Sequence, residues 1–333
     1  MTTLLAGDIG GTKTLLSLFR LGGDSRLHVL FEKRLNSADW PDLAPMVRTF
    51  LSSAAAQGHT EQPAAACLAV AGPVQAGRAQ LTNLPWQLEE RQLACATGIP
   101  LVELVNDFAV LIYGLPHLEP DQQALIRPGQ AQSGEPLLVL GAGTGLGVAY
   151  GVPTTSGLRA VASEGGHAEF AASSEEEWRL RQWLLQDLGL QRLSIERVVS
   201  GTGLGHVMRW LLATHHPDGD HPLARGAADL PAATAAAAAA GEPLARHTLD
   251  LWLGAYGRVC GDLALAGLCR GGIWLAGGTA SKLLAELQSP RFLEAFLAKG
   301  RLQAALDTIP VQAVTDPAIG PFSAACRARM LVA

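Results

Sequence analysis

A chain of 333 residues is long enough for about two domains at roughly 100 to 200 residues each. With 48% hydrophobic and 17% charged residues it lies far from the composition of disordered chains. Its formal net charge of -5, without clustered Lys and Arg, argues against a nucleic-acid surface and leaves small molecules as the expected partners.

The five cysteines, Cys67, Cys95, Cys260, Cys269 and Cys326, are far apart and form no C-x-x-C pair. Neither a disulfide framework nor a zinc cluster is expected from that spacing. The start, residues 1–10, has no basic region followed by an apolar one, and no run of 18 or more apolar residues occurs. These features predict a cytoplasmic protein without a membrane association.

In chain order, short apolar runs at Leu4–Ala6, Ala66–Ala71, Leu101–Val105, Leu137–Leu140 and Ile273–Ala276 predict buried strands. Helical patterns lie between them. In Glu175–Leu188, Ser174 and Glu177 match a capping box, and Gly189 stands where a glycine ends a helix. The alternation predicts an α/β protein. The stretch His215–Pro231, with His215, His216 and His221, reads as a solvated loop in preference to a metal site. Ala232–Ala240 is nearly all alanine and reads as a surface helix or a tolerant insertion. Pro243–Cys269 carries Leu249, Trp252, Leu253 and Leu263 on more than one face, as a core helix or a subunit contact would.

Two glycine-rich turns carry the chemistry. Asp8-Ile9-Gly10-Gly11-Thr12-Lys13-Thr14 follows one apolar run and precedes another, Leu15–Leu21. A Walker loop needs glycine where Thr12 stands and a helix after the lysine, so a hairpin is expected. There Gly10 and Gly11 are expected at positive φ, with backbone N–H groups open to phosphate oxygens, the Thr12 hydroxyl nearby, and Asp8 holding Mg²⁺ through water. Gly141-Ala142-Gly143-Thr144-Gly145-Leu146-Gly147 repeats the design, and Leu146 excludes the dinucleotide fingerprint G-x-G-x-x-G. Two such turns gripping one pyrophosphate tail would serve phosphoryl transfer, in which positioning and charge stabilisation dominate. A third pair, Gly277-Gly278, ends the strand Ile273–Ala276 and opens a helix at Thr279–Leu287.

On these motifs the chain resembles bacterial ATP-dependent glucokinases, in the superfamily of sugar kinases, actin and Hsp70. The resemblance extends over nearly the whole chain. It implies a two-domain ribonuclease-H-like α/β fold, actin-like, with the active site in the interdomain cleft. The expected domains are 1–117 plus 312–333, with a returning C-terminal helix near 318–333, and 118–311. The family's first phosphate turn matches Gly7, Asp8, Ile9, Gly10, Gly11 and Thr12. Its second matches Gly141–Gly147, with Gly143, Thr144 and Gly145 at its centre, and its adenosine glycines match Gly277 and Gly278. ATP and Mg²⁺ are the implied cofactors, glucose the implied acceptor at its 6-hydroxyl, and a homodimer the implied assembly.

Val105-Asn106-Asp107-Phe108 ends the apolar run Leu101–Val105 and places a carboxylate at a strand terminus. By resemblance Asp107 is the general base that takes the proton of the attacking hydroxyl, and Asn106 is a sugar ligand. The same dipeptide is often a helix cap. Glu164-Gly165-Gly166-His167-Ala168-Glu169 gathers two carboxylates and an imidazole, the groups that replace the water shell of a polyol. The resemblance makes Glu164, His167 and Glu196 sugar ligands, and places Asn83 in a loop over the sugar. Lys13 stands where many relatives have asparagine, and Glu169 where aspartate is common. No cysteine-rich zinc motif follows His167, which favours the zinc-free branch. The competing expectations are a kinase for mannose or an N-acetylated amino sugar, and a non-catalytic sugar-sensing regulator.

Overall fold

Strand β1 (Thr2–Ile9) turns back as β2 (Lys13–Leu21), which pairs with β3 (Leu27–Asn36). The register from Thr2 opposite Leu21 to Ile9 opposite Thr14 makes the first glycine-rich turn a hairpin. The computed structural model describes residues 2–81 and 84–333. Helix α1 (Leu43–Ala55) starts on an Asp42 cap and buries Met46, Val47 and Phe50. The chain returns through β4 (Ala65–Val70), in which every residue is buried, as the sequence AACLAV requires.

A small antiparallel sheet follows, made of β5 (Val74–Gln75), β6 (Arg78–Gln80) and β7 (Gln87–Glu89). Helix α2 (Glu90–Thr97) then leads to β8 (Leu101–Asn106). The main sheet has the order β3-β2-β1-β4-β8, with β1, β4 and β8 parallel. Its core includes Leu5, Ile9, Leu16, Phe50 and Trp86. Full burial of one such side chain contributes ~1.5–3 kcal/mol.

A second sheet repeats this plan. Strands β9 (Gln123–Arg127), β10 (Leu137–Ala142) and β11 (Leu146–Thr154) come first, then β12 (Gly157–Ser163). Helices α3 (Glu175–Asp187), α4 (Gly201–His215), α5 (Leu230–Ala239) and α6 (Pro243–Gly267) precede β13 (Gly272–Ala276). After β13 come α7 (Gly278–Lys282), α8 (Leu284–Leu287), α9 (Pro290–Leu297) and α10 (Gln303–Leu306), and then β14 (Val311–Val314). Strands run in the order β11-β10-β13-β14-β9, again an antiparallel hairpin beside parallel strands.

The chain divides into two compact units. The first comprises residues 1–119, 158–162 and 316–333, and the second 120–157 and 163–315. The C-terminal helix Ile319–Leu331 packs on β1 and β4 in the first unit. In the same unit the Ala160 N–H donates to the Tyr113 hydroxyl at 3.3 Å.

Each strand predicted from an apolar run is present. Helix α3 begins on Ser174, whose hydroxyl accepts the Glu177 N–H at 3.2 Å, and Gly189 follows at φ +63°. The Glu177 carboxylate turns to Ser173, not back to Ser174 as in a capping box, and accepts the Ser173 N–H at 2.8 Å. Thr279–Leu287 is two short helices instead of one. Helix α6 is a core element, with Leu249, Trp252 and Leu253 at 1% exposure or less. The segment after His215 is largely exposed, as a solvated loop is, with His221 as the exception. His221 is buried, packs its ring at a tilt of 54° against His216 with centroids 4.8 Å apart, and lies 3.3 Å from Glu242.

All five cysteines are free, and four are buried. No helix among the described residues is long and apolar enough to cross a membrane.

Candidate active site

In the first unit, the parallel pairing aligns Ile9 with Val70 and Val70 with Asn106, so the ends of β1 and β8 flank the end of β4. At ~4.8 Å per strand, their Cα atoms are separated by roughly 10 Å. That geometry puts the first glycine-rich turn beside Asn106 and Asp107.

The turn closes by a bond from the Gly10 N–H to the Lys13 carbonyl at 3.0 Å. Neither Gly10 nor Gly11 adopts the left-handed backbone expected from the sequence. Gly10 is required for a different reason, because a Cβ there would lie 2.8 Å from the Lys13 carbonyl oxygen. Gly7 is tight as well, with a Cβ position 2.7 Å from a Leu68 methyl. The start of the C-terminal helix also reaches this corner, where a Cβ on Gly320 would lie 3.8 Å from the Asp8 carboxylate.

Asn106 acts as both cap and brace. Its side-chain oxygen accepts the N–H groups of Phe108 at 3.1 Å and Ala109 at 2.9 Å, which starts the turn Ala109–Tyr113. Its amide donates to the Gly72 carbonyl at 3.1 Å and to the Asp107 carboxylate at 3.0 Å. The Asp107 N–H is in turn held by the Val70 carbonyl at 2.9 Å. Both acids reach solvent at their strand ends, yet the protein packed around them raises their pKa values. For Asp107, burial and then the negative charge of Asp8 lift the carboxyl to about 6, against hydrogen bonds that lower it. For Asp8, burial raises the pKa and Arg34 opposes it.

In the second unit, β10 and β11 hold the second glycine-rich turn, with the Gly143 N–H donating to the Gly145 carbonyl at 2.9 Å. Helix α4 rests its first residues on this turn. The Gly201 N–H donates to the Gly143 carbonyl at 2.7 Å, and the Thr202 hydroxyl to the Thr144 carbonyl at 2.9 Å. Ser200 caps α4 by accepting the Gly203 N–H at 2.8 Å and donates its own hydroxyl to the Glu196 carbonyl at 2.6 Å. Trp252 secures Ser200 through an indole bond of 2.9 Å to its carbonyl.

The sequence reading missed Ser200, Gly201 and Thr202. The available signal was S-G-T-G at the start of a helical pattern, since a cap followed by glycine allows a close backbone approach.

Gly277 joins the same corner. At φ +83° its Cβ position lies 3.4 Å from the Ala142 carbonyl oxygen, and the Thr279 hydroxyl donates to that oxygen at 2.5 Å. The structure therefore brings Gly143, Thr144, Gly145, Gly277 and Gly278 to one end of β10 and β13.

Glu164, His167 and Glu196 cluster in this unit. The His167 N–H donates to the Glu164 carbonyl at 2.9 Å in a tight turn, Gly165–His167. Gly166 packs on the backbone of Leu146, where a Cβ would clash with the carbonyl oxygen. The imidazole lies between two carboxylates, 3.6 Å from Glu164 and 3.6 Å from Glu196. Glu196 also adjoins the second turn, since a Cβ on Gly145 would lie 2.7 Å from its carboxylate oxygen. Glu169 is apart from this cluster and pairs with Arg181 and Arg192. Asn83 lies outside the described residues.

A sequence model of the glucokinase family matches residues 5–331. The chain belongs to the glucokinase family. It is 40% identical over 345 residues to a glucokinase of Trichormus variabilis, covering 99% of this chain and 100% of that protein. The solved glucokinase of an Antarctic psychrotroph superposes with a TM-score of 0.84 at 30% identity, covering 99% of each chain. A glucokinase of Balamuthia mandrillaris in complex with glucose superposes with a TM-score of 0.78 at 22% identity, covering 98% of this chain and 94% of that one, which speaks for the fold. The chain has the two-domain actin-like ATPase fold and is an ATP-dependent hexose kinase.

Proposed function

We propose that the enzyme transfers the γ-phosphoryl group of ATP to the 6-hydroxyl of glucose, with Asp107 as general base. The observation that carries this reading is the raised pKa of Asp107, about 6, at a strand end beside Asp8 and the first glycine-rich turn. A carboxylate of that basicity is largely ionised at neutral pH and accepts a proton better than an ordinary aspartate. As the sugar oxygen bonds to phosphorus, its proton passes to the Asp107 carboxylate and ADP leaves. General-base catalysis of this kind is worth ~10²–10⁴-fold. Asn106 keeps the carboxylate aimed by donating to it.

Glu164, His167 and Glu196 bind sugar hydroxyls, carboxylates as acceptors and the imidazole as acceptor or donor. The turn Gly7–Thr12 and the turn Gly143–Gly145 take phosphate oxygens, and Gly277 and Gly278 take the nucleoside. Asp8 and Asp107 offer carboxylate oxygens whose raised pKa values mark an under-neutralised pair, and that donor set fits Mg²⁺, which keeps several waters and binds few carboxylates. Asp8 would hold the ion through water, and the ion would supply neutralising charge to the phosphates.

Incubation of the enzyme with MgATP and a panel of glucose, 6-deoxyglucose, mannose and N-acetylglucosamine tests this reading. Glucose should give glucose 6-phosphate and ADP in equal amounts, and 6-deoxyglucose no phosphorylated sugar. A phosphorylated 6-deoxyglucose, or a clear preference for mannose or N-acetylglucosamine, would refute it.

A further inference from the structure

Glu169 and Arg192 adjoin Glu164, His167 and Glu196 without belonging to that cluster, and Arg192 joins the Glu169 carboxylate to the His167 carbonyl. The Arg192 guanidinium donates to the His167 carbonyl and lies 3.4 Å from one Glu169 carboxylate oxygen. The other Glu169 oxygen accepts from Arg181 at 2.8 Å. Arg181, on α3, is itself set over the ring of Trp178 with 5.5 Å to the centroid.

Between these side chains the backbone forms a short antiparallel ladder. Phe170 N–H donates to the Leu193 carbonyl and Ile195 N–H to the Ala168 carbonyl, each at 2.8 Å, with Glu169 opposite Ser194. His167 and Arg192 precede the two paired segments at opposite ends of this ladder, and the Arg192 side chain reaches back along it to the His167 carbonyl. The turn from Glu164 to His167 is thus tied at its inner end by its own hydrogen bond and at its outer end by Arg192.

We propose that Arg192 is a positioning residue for the hexose site, which acts through the His167 main chain to hold the imidazole between Glu164 and Glu196. This rests on the reading of His167 as a sugar ligand. A guanidinium suits the task because its planar fork donates to a carboxylate and a carbonyl at once, and an ammonium does not span both. Glu169 fixes the fork's orientation and transmits the rigidity of α3 to it. Small displacements of a polar ligand are costly in polyol recognition, since several hydroxyls must be met together.

The test is steady-state kinetics with glucose and MgATP for Arg192→Ala, Arg192→Lys, His167→Ala and the double variant Arg192→Ala/His167→Ala, each checked by thermal melting. Arg192→Ala should raise the KM for glucose roughly tenfold, the scale of one lost hydrogen bond to a charged group, and leave the KM for ATP unchanged. Arg192→Lys should recover part of that loss. In the His167→Ala background the same Arg192→Ala change should add threefold or less, because residues acting through one another are not additive. Equal losses in both backgrounds, or parallel rises in both KM values, would overturn the proposal. Arg192→Ala without effect beside a defective His167→Ala removes the brace alone. His167→Ala with an unchanged glucose KM removes the sugar-site reading, and the brace with it.

Discussion

Asp8 and Asp107 end strands β1 and β8 on either side of β4, and the negative charge of Asp8 helps raise the Asp107 pKa to about 6. The proposed base must be ionised to work. The kcat/KM for glucose should therefore fall tenfold per unit below pH ~6, with a single ionisation in the free enzyme. Removing the Asp8 charge lowers the pKa of its neighbour. The acid limb of Asp8→Asn should then move to lower pH, whatever its effect on the rate, and a limb that stays in place would separate the two acids.

The same shift has a consequence for stability. Asp107 has a higher pKa in the folded protein than the ordinary value of 3.8, so folding holds its proton more tightly. Stability contributed by this group declines as pH rises from ~4 to ~6, and the full penalty applies above that window. Asp107→Asn should melt at a higher temperature than the parent at pH 7, and the difference should vanish near pH 3.5. Thermal melts at the two pH values check both statements.

Gly145 and Glu196 link the second glycine-rich turn to the proposed sugar ligands. Gly145→Ala places a methyl group 2.7 Å from the flexible end of Glu196, which can swing aside at little cost in stability. It leaves its place 3.6 Å from His167 in doing so. The glucose KM should rise roughly tenfold while the melting temperature changes little. Calorimetric titration of glucose into the variant measures the loss without catalysis.

Glu177 on α3 is buried, and its carboxylate pairs with Arg258 of α6 and with Ser173. Arg258→Met leaves that carboxylate without its cation and should cost ~3–5 kcal/mol. Chemical denaturation measures the loss, and the kcat of the folded enzyme should be unchanged. A Glu177→Gln/Arg258→Met double variant should regain part of the stability, because the uncompensated charge is gone.

The central strands were legible in the sequence because parallel strands are buried on both faces, as the run Ala65–Val70 illustrates. Strand β3 gave no such run, since each of its residues is half-buried or exposed. Strands β5 to β7 of the small sheet have two or three residues each, too few for a period to register. At the site, the glycine turns and Asp107 were marked by local motifs. The reason for Gly10 was not, because its constraint is a carbonyl oxygen and not a left-handed φ. Arg192 and His167 are 25 positions apart, and their bond depends on a ladder that no local pattern announces. The burial of His221 was hidden for the same reason, since its partner Glu242 is 21 positions away.

The most direct measurement is the turnover of Asp107→Asn with saturating glucose and MgATP, beside the dissociation constant for glucose. The account predicts a kcat lowered at least ~10²-fold, with glucose bound as in the parent. A variant that turns over within a few-fold of the parent contradicts it.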